Sequence, residues 1–331
     1  MMITGDHPET ARTIASYVGI RNSKVVTGEN IAKMSDDELR KALKDTFVFA
    51  RTTPEDKLRI TRLLRENGEI VAVTGDGNND APALKEAHIG IAMGLSGTDV
   101  SKETADMVLT DDNFATIATA VREGRKMLAN LKKGVSYYLA CKVALVASFL
   151  LPIALGVPLP FSPIHLIILE VFMGIATSAT FVAEPEEECN IKKPPAKIHE
   201  KLLNRNMMIS LLLGALSLFL AVSTIYLLTW YQTGDITLAQ TMAFATWMIG
   251  HIFLALNFRS EKQPLQKIGF RSNKLMLLWA LIGVGTLIAV TALPQNNPLK
   301  LTSLSLSNWI IVVAVSFVAM FWMEIKKRQN R

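Results

Sequence analysis

Two stretches of the 331-residue chain combine residue types that handle phosphate and hard cations. Thr4-Gly5-Asp6 and Thr74-Gly75-Asp76 are the same tripeptide, each behind an apolar run. Glycine lets the backbone turn sharply and approach an anion closely. Threonine offers a hydroxyl, and aspartate offers an acceptor carboxylate or a Mg²⁺ ligand. A plain turn is the ordinary reading of either tripeptide alone. The second runs on as Gly77-Asn78-Asn79-Asp80-Ala81-Pro82. Asp76 and Asp80, with Gly and Asn between them, could hold a hard cation through oxygen ligands and water. A capped helix start, with Asp80 in the first turn complementing the dipole, fits the same spacing.

These residues need strands and helices to position them, and the first half supplies both. Phe47–Ala50, Ile70–Val73, Ile89–Ala92 and Met107–Leu109 read as short buried parallel strands. Thr53-Pro54-Glu55-Asp56 is a helix start, with an N-cap, a proline in the first turn and an acid three residues after the cap. The helix that follows spans 54–67 and stops at Asn67-Gly68. Pro8-Glu9 opens another, which ends near Gly19. The alternation implies an α/β, Rossmann-like, doubly wound sheet, whose ligands sit beyond the carboxyl ends of the strands.

The second half reads differently. Six apolar segments, about 136–155, 164–183, 208–230, 239–258, 275–294 and 308–324, are each long enough to cross a bilayer core. The net charge of +6 is unevenly divided: residues 1–133 sum to −1 and residues 134–331 to +7. Fourteen lysines and arginines lie in the connections 184–206 and 259–274 and in the tail, while the alternate connections hold only Lys300. Basic short loops remain cytosolic, which predicts both ends of this region, and the soluble half, on the cytosolic side. Trp230, Tyr231, Trp309 and Trp322 fall near the predicted interfaces. A disordered chain is excluded by the apolar periodicity. A disulfide scaffold is excluded by a cysteine count of two, Cys141 and Cys189, both expected as free thiols. The near-neutral soluble half has no basic stripe for nucleic acid.

Thr74–Pro82 resembles the TGDGxNDxP signature of P-type cation-transporting ATPases, pumps of the haloacid-dehalogenase superfamily, with Asn78 where calcium and sodium pumps usually have Val. Met2–Asp6 resembles the family's upstream TGD motif, and Phe49-Ala50-Arg51 with Pro54 and Lys57 its FAR-x-x-P-x-x-K segment. Ile89–Gly94, Ser96-Gly97-Thr98, Ala105–Asp112 and the stalk Asn130–Lys133 continue the likeness, and the six spans resemble the family's last six. The resemblance implies a haloacid-dehalogenase-like partial phosphorylation domain over 1–130 and an all-α six-helix transmembrane domain over 131–331. It implies ATP and Mg²⁺ as cofactors. Asp76 becomes a Mg²⁺ ligand with Asp80 in support, Thr4 and Asn79 contacts to the phosphoryl group, and Lys57 the cation that neutralises it. Lys57 could also sit on a solvated helix face. Asp6 and Arg51 are implied on the nucleotide side, with Gly75 and Gly77 giving close backbone approach.

No DKTG motif, which carries the family's phosphorylated Asp, occurs in the sequence. Thr27-Gly28-Glu29 reads as a loop that matches the actuator's TGE by chance. The expectation is therefore a carboxyl-terminal part of a plasma-membrane pump, inactive alone and completed by an amino-terminal part. A non-catalytic half-protein paired with a separate chain, or a membrane-anchored phosphatase of the superfamily, are the alternatives. In the membrane half the likeness sets Lys142 and Leu145 on the fifth helix, and Glu170 and Gly174 on the sixth, where calcium pumps usually have Asn, Glu, Asn and Asp. Intramembrane charges mark ion paths by default. Lys142 either serves as a built-in counter-cation that could pair with Glu170, or snorkels to the cytosolic interface. The transported cation and membrane lipid complete the implied partners.

Overall fold

The computed structural model describes residues 1–20, 24–187, 202–292 and 299–329, without the side chains at 326, 328 and 329. Cys189, Lys192, Lys193, Lys197, Lys201 and Arg331, invoked above, lie outside the described residues. The chain forms two compact units, one over Met1–Val121 and one beginning at Arg122.

In the first unit the strands are β1 (Met2–Ile3), β2 (Val25–Thr27), β3 (Val48–Ala50), β4 (Ala72–Gly75), β5 (Ile89–Met93) and β6 (Met107–Leu109). All pairings are parallel. The expected single doubly wound sheet is instead two three-stranded sheets, ordered β1-β3-β2 and β4-β5-β6. Among the described residues no strand pairing joins β1 to β4. Ala72 is exposed on β4, as an open sheet edge allows. β4 also starts two residues later than the apolar run suggested. Val71 is already committed to the approach of β5: its N–H donates to His88 Nδ1 at 3.1 Å and its carbonyl accepts from His88 N at 2.9 Å.

Six short helices accompany the strands: α1 (Pro8–Tyr17), α2 (Gly28–Lys33), α3 (Asp36–Asp45), α4 (Pro54–Glu66), α5 (Ala81–Glu86) and α6 (Asp99–Thr104). α4 begins with a reciprocal capping box between Thr53 and Asp56, and its end is turned by Gly68 at φ 83°. α3 has the same device in Ser35 and Glu38. Thr27-Gly28-Glu29 is not a loop. Thr27 closes β2 and accepts from Asn30 N as the cap of α2. Gly28 must be glycine there, because a Cβ would lie 2.2 Å from the Arg51 carbonyl oxygen. The apolar faces of α2, α3 and α4 meet β2 and β3 in a core of Val26, Ile31, Leu39, Leu43, Phe49, Ile60 and Leu63.

The long apolar helices belong to the second unit, except for the first turns of the earliest one, which lie before Arg122. They are α7 (Ala115–Leu155), α8 (Pro163–Ile175), α9 (Arg205–Thr233), α10 (Ile236–Phe258), α12 (Lys274–Ala292) and α13 (Leu306–Gln329), with the single turn α11 (Leu265–Ile268) between α10 and α12. α8 runs on as a π turn over Ala176–Thr180, so its span closes at Thr180 rather than 183. Among the described residues six helices are long and apolar enough to cross a membrane. Helices suit that solvent because every interior N–H and C=O is satisfied within the segment. α10 is buried along most of its length, whereas α12 and α13 present Leu281, Ile282, Ile310 and Val318 outward.

Arg259, taken above as a loop cation, is a buried structural residue at the end of α10. Its Nε donates to Glu184 Oε1 at 2.9 Å, and its other nitrogens donate to the Gly269 carbonyl and to Ser272 Oγ. Asn273 Nδ2 donates to the second oxygen of Glu184 at 2.7 Å, and Asn130 Nδ2 donates to the Glu184 carbonyl. Glu184 thus ties the segment after α8 to α7 through its carbonyl, and to the end of α10 and the turn before α12 through its carboxylate. Glu184→Ala leaves the Arg259 guanidinium buried and unpaired, a change that typically costs about 3–5 kcal/mol. A large fall in melting temperature in detergent micelles is expected, with substantial recovery in the double variant E184M/R259M. Equal melting of E184A and wild type would contradict this role.

Candidate functional site

The motif residues fall into two groups at the carboxyl ends of the two sheets. The first is built on β1 and β3. Thr4 Oγ1 accepts from Asp6 N at 3.2 Å, which closes a tight turn directly after β1. Thr52 clamps this turn from β3, because both its N–H and its hydroxyl donate to the Thr4 carbonyl. Arg51 N donates to the Asp6 carbonyl at 3.0 Å. Arg51 itself sits at φ 50° with its side chain exposed, a backbone state that non-glycine residues rarely adopt. Thr4, Asp6 and Arg51 are therefore neighbours, and Asp6 and Arg51 are open to solvent.

The second group is built on β4 and the 3₁₀ turn Asn78–Asp80. Asp80 is buried, and Lys57, from the first turn of α4, donates to its Oδ1 at 2.5 Å. The Lys57 side chain is only 22% exposed, so it does not occupy a solvated helix face. Gly77 N donates to the other Asp80 oxygen at 3.4 Å. Gly75 has a steric reason to be glycine: a Cβ would stand 2.4 Å from the Cβ of Asp80. Asp76 and Asn79 flank this core with exposed side chains. The structure thus unites Lys57, Gly75, Gly77 and Asp80 in one cluster. No hydrogen bond or ion pair links Thr4 or Asp6 to Asp76 among the described residues.

Asp76 can offer a hard cation one carboxylate, the remaining ligands coming from water and phosphate oxygens, as Mg²⁺ prefers. The Asp80 carboxylate is engaged by Lys57, so its geometry serves to hold the ammonium at the site. Among the described residues no set of three His, Cys, Asp or Glu side chains gathers as a metal cage.

Asp76 is positioned by residues with no singled-out role in the sequence. Its carbonyl accepts from Thr98 N at 2.9 Å and from Ser101 Oγ at 3.3 Å. The loop before Thr98 is held in turn by Asp112, whose oxygens accept from Leu95 N at 2.8 Å and Ser96 N at 2.7 Å. These N–H donors pull the Asp112 carboxyl down from 3.8 to about 2. Gly97 is confined as well, since a Cβ there would meet the Met93 carbonyl oxygen at 2.0 Å.

In the membrane unit Lys142 of α7 and Glu170 of α8 form a direct ion pair. The Lys142 ammonium also lies 5.1 Å from the centroid of the Tyr138 ring. Leu145 is buried, and Gly174 has no neighbouring atom where a Cβ would stand. The two histidines of this unit serve packing: His165 bridges Ser162 N and the Leu299 carbonyl, and His251 Nδ1 meets the Trp247 carbonyl.

Comparison with known proteins bears on both units. Residues 158–329 match the family model described as cation transporting ATPase, C-terminus. Residues 1–88 and 58–121 match two models of haloacid dehalogenase-like hydrolases. The chain is 34% identical, over 99% of its length, to calcium-transporting ATPase 1 of Bacillus cereus, and covers 39% of that protein. It is 34% identical to the calcium-transporting ATPase of Bacillus subtilis over 97% of its length, covering 36% of the relative. It is 33% identical to human calcium-transporting ATPase type 2C member 1 over its whole length, covering 36%. The chain therefore spans less than two fifths of the length of these relatives.

Two outcomes follow from the site geometry. Because the folded carboxyl of Asp112 titrates below its ordinary value, its contribution is present above about pH 4 and is lost as pH falls toward 2. Asp112→Asn should therefore loosen the amides of Leu95 and Ser96 in hydrogen exchange at neutral pH, and the difference from wild type should vanish toward pH 2. Gly75→Ala should displace Asp80 and with it Lys57, read as lost protection of the 3₁₀ turn. Unchanged exchange there would refute the steric role of Gly75.

Proposed function

The chain belongs to the P-type cation-transporting ATPases, and we propose that it forms the carboxyl-terminal portion of an ATP-driven pump that moves cations through an aspartyl-phosphate. The observation that carries this reading is the cluster of Lys57, Gly75 and Asp80 beside the exposed Asp76, at the end of β4, in a chain that also has six membrane-length helices. The DKTG aspartate would come from an amino-terminal part of the pump, either in the same polypeptide or as a separate chain. That part would also bring the nucleotide-binding and actuator domains. The unpaired edges of β1 and β4 offer it a place to add a parallel strand.

With ATP and Mg²⁺ bound, the metal supplies Lewis-acid charge at the phosphoryl group, and Asp76 is the residue of this chain that would hold it. Lys57, aimed by Asp80, neutralises charge on the transferring phosphoryl oxygens. The Thr4 hydroxyl and the Asn79 amide hydrogen-bond the same group. Asp6 and Arg51 face the nucleotide. Charge bias in the loops favours a cytosolic soluble unit and carboxyl terminus; the plasma membrane is the location this reading assigns.

For the transported ion, the relatives' names point to calcium. The Lys142–Glu170 pair favours a proton-linked or monovalent substrate instead. Its carboxylate is already neutralised by an ammonium, and a calcium site needs six to eight oxygen ligands. A non-catalytic half-protein paired with a separate chain is the second reading, and co-purification with such a chain would favour it.

The 331-residue chain incubated with Mg²⁺ and labelled ATP should form no phosphoenzyme, and acid-stable label on the purified chain would overturn that expectation. In the complete pump reconstituted in vesicles, Lys142→Met should change ion dependence or coupling. Transport of calcium unaltered by this substitution would remove Lys142 from the ion path.

A further inference from the structure

Almost every hydrogen-bonding group of Thr4 is committed. Its N–H donates to the Phe49 carbonyl at 2.9 Å, just past the paired residues of β1 and β3. Its carbonyl accepts from Thr52 twice, at 3.1 Å from the N–H and at 3.0 Å from the hydroxyl. Its Oγ1 accepts from Asp6 N at 3.2 Å. Among the described residues, the hydroxyl proton of Thr4 alone has no acceptor. A donor fixed through its other atoms and left uncommitted is preorganised, and it meets developing negative charge without reorienting.

The clamp on Thr4 depends on a backbone state held against its own preference. Arg51, at φ 50°, folds the chain back at the end of β3. Arg51 N thereby reaches the Asp6 carbonyl at 3.0 Å, and Thr52 reaches the Thr4 carbonyl. Such a conformation persists in a non-glycine residue where its surroundings over-determine it, and it gathers at functional sites. The Thr52 hydroxyl is not needed to start α4, because the capping box of that helix belongs to Thr53 and Asp56. Among the described residues its bond goes to Thr4 alone.

We propose that Thr52 is a positioning residue for phosphoryl transfer: its hydroxyl holds the Thr4 turn so that the Thr4 hydroxyl proton is aimed at the phosphoryl group. Thr4 as a phosphoryl contact is the reading proposed above, on which this role rests. The aim of that donor is then set from outside its own motif, by a side chain that touches neither phosphate nor nucleotide. Thr52→Val keeps the branched shape and deletes the donor, while Thr52→Ser keeps the donor and deletes the methyl group. In Thr52→Val the backbone N–H of residue 52 still reaches the Thr4 carbonyl, so the turn forms but is held less firmly.

Two measurements test this role. In the full 331-residue chain in micelles, Thr52→Val should speed hydrogen exchange of the Asp6 amide by about fivefold, the worth of one hydrogen bond, and Thr52→Ser should restore it. In the complete pump with Mg²⁺ and saturating labelled ATP, Thr52→Val should slow phosphoenzyme formation by about fivefold with KM for ATP unchanged, and Thr52→Ser should rescue the rate. The double variant T4V/T52V should be no slower than Thr4→Val alone, because the clamp then has no donor left to aim. Wild-type exchange and rate in Thr52→Val would overturn the proposal. So would a loss that Thr52→Ser does not rescue, or one that persists in full beside Thr4→Val, since either marks a merely structural residue. A full rate in Thr4→Val has a different meaning: it removes Thr4 from the phosphoryl group, and the role of Thr52 falls with it.

Discussion

A charge withdrawn from water must find an opposite charge or a dense set of hydrogen bonds, and the second unit is organised by that requirement. Among the described residues, the ion pairs of Arg259 with Glu184, Lys133 with Glu187, Lys327 with Glu324, and Lys142 with Glu170 meet it. The first three gather where the helix ends and their connections converge. Ser260 ties two of them together, since it follows Arg259 in the chain and donates to Glu187. These pairs are almost wholly enclosed. The Lys142–Glu170 pair is about one third exposed on each side chain, within the run of apolar helix. Enclosed pairs hold helices in register. A pair that other groups can reach is held less exclusively, and its members stay open to other partners.

The soluble unit repeats the logic on a smaller scale. Lys57 and Asp80 come from helices that follow different strands, and their contact brings the ends of α4 and β4 to one place. Gly75 allows the carboxylate to settle against the backbone, and the capping box of α4 fixes the turn from which Lys57 projects. The side chain with the most perturbed titration here, Asp112, is one step removed. It orders the loop that grips the Asp76 carbonyl. A carboxylate that satisfies backbone N–H groups does for a loop what a capping residue does for a helix.

Much of this was legible in the residues themselves. Thr53 and Asp56 announced α4, and Asn67-Gly68 its end, because capping is local chemistry. The six apolar runs announced the membrane helices for the same reason. The pairing of Lys57 with Asp80 was not legible, since it joins residues 23 apart through two elements. Arg259 was misleading: charge counting treats a basic residue at a helix end as solvated, and only the fold reveals Glu184 waiting for it. Thr27-Gly28-Glu29 misled in a similar way, because a strand of three residues leaves almost no alternation to read. The division into two sheets was likewise hidden, since strand identity says nothing of which strand lies next to which.

That division has a consequence for how the polypeptide behaves once made. Parallel sheets normally bury both faces among helices, while open edges offer rows of unsatisfied N–H and C=O groups. Each small sheet here has two edges, and β4 shows Ala72 to solvent with Ile70 and Ile89 exposed close by. Such a surface pairs readily with any extended segment it meets, including a second copy of itself. For this chain, then, solubility of the first unit and pairing of those edges are one problem: any strand that came to lie along them would also shield them from self-association.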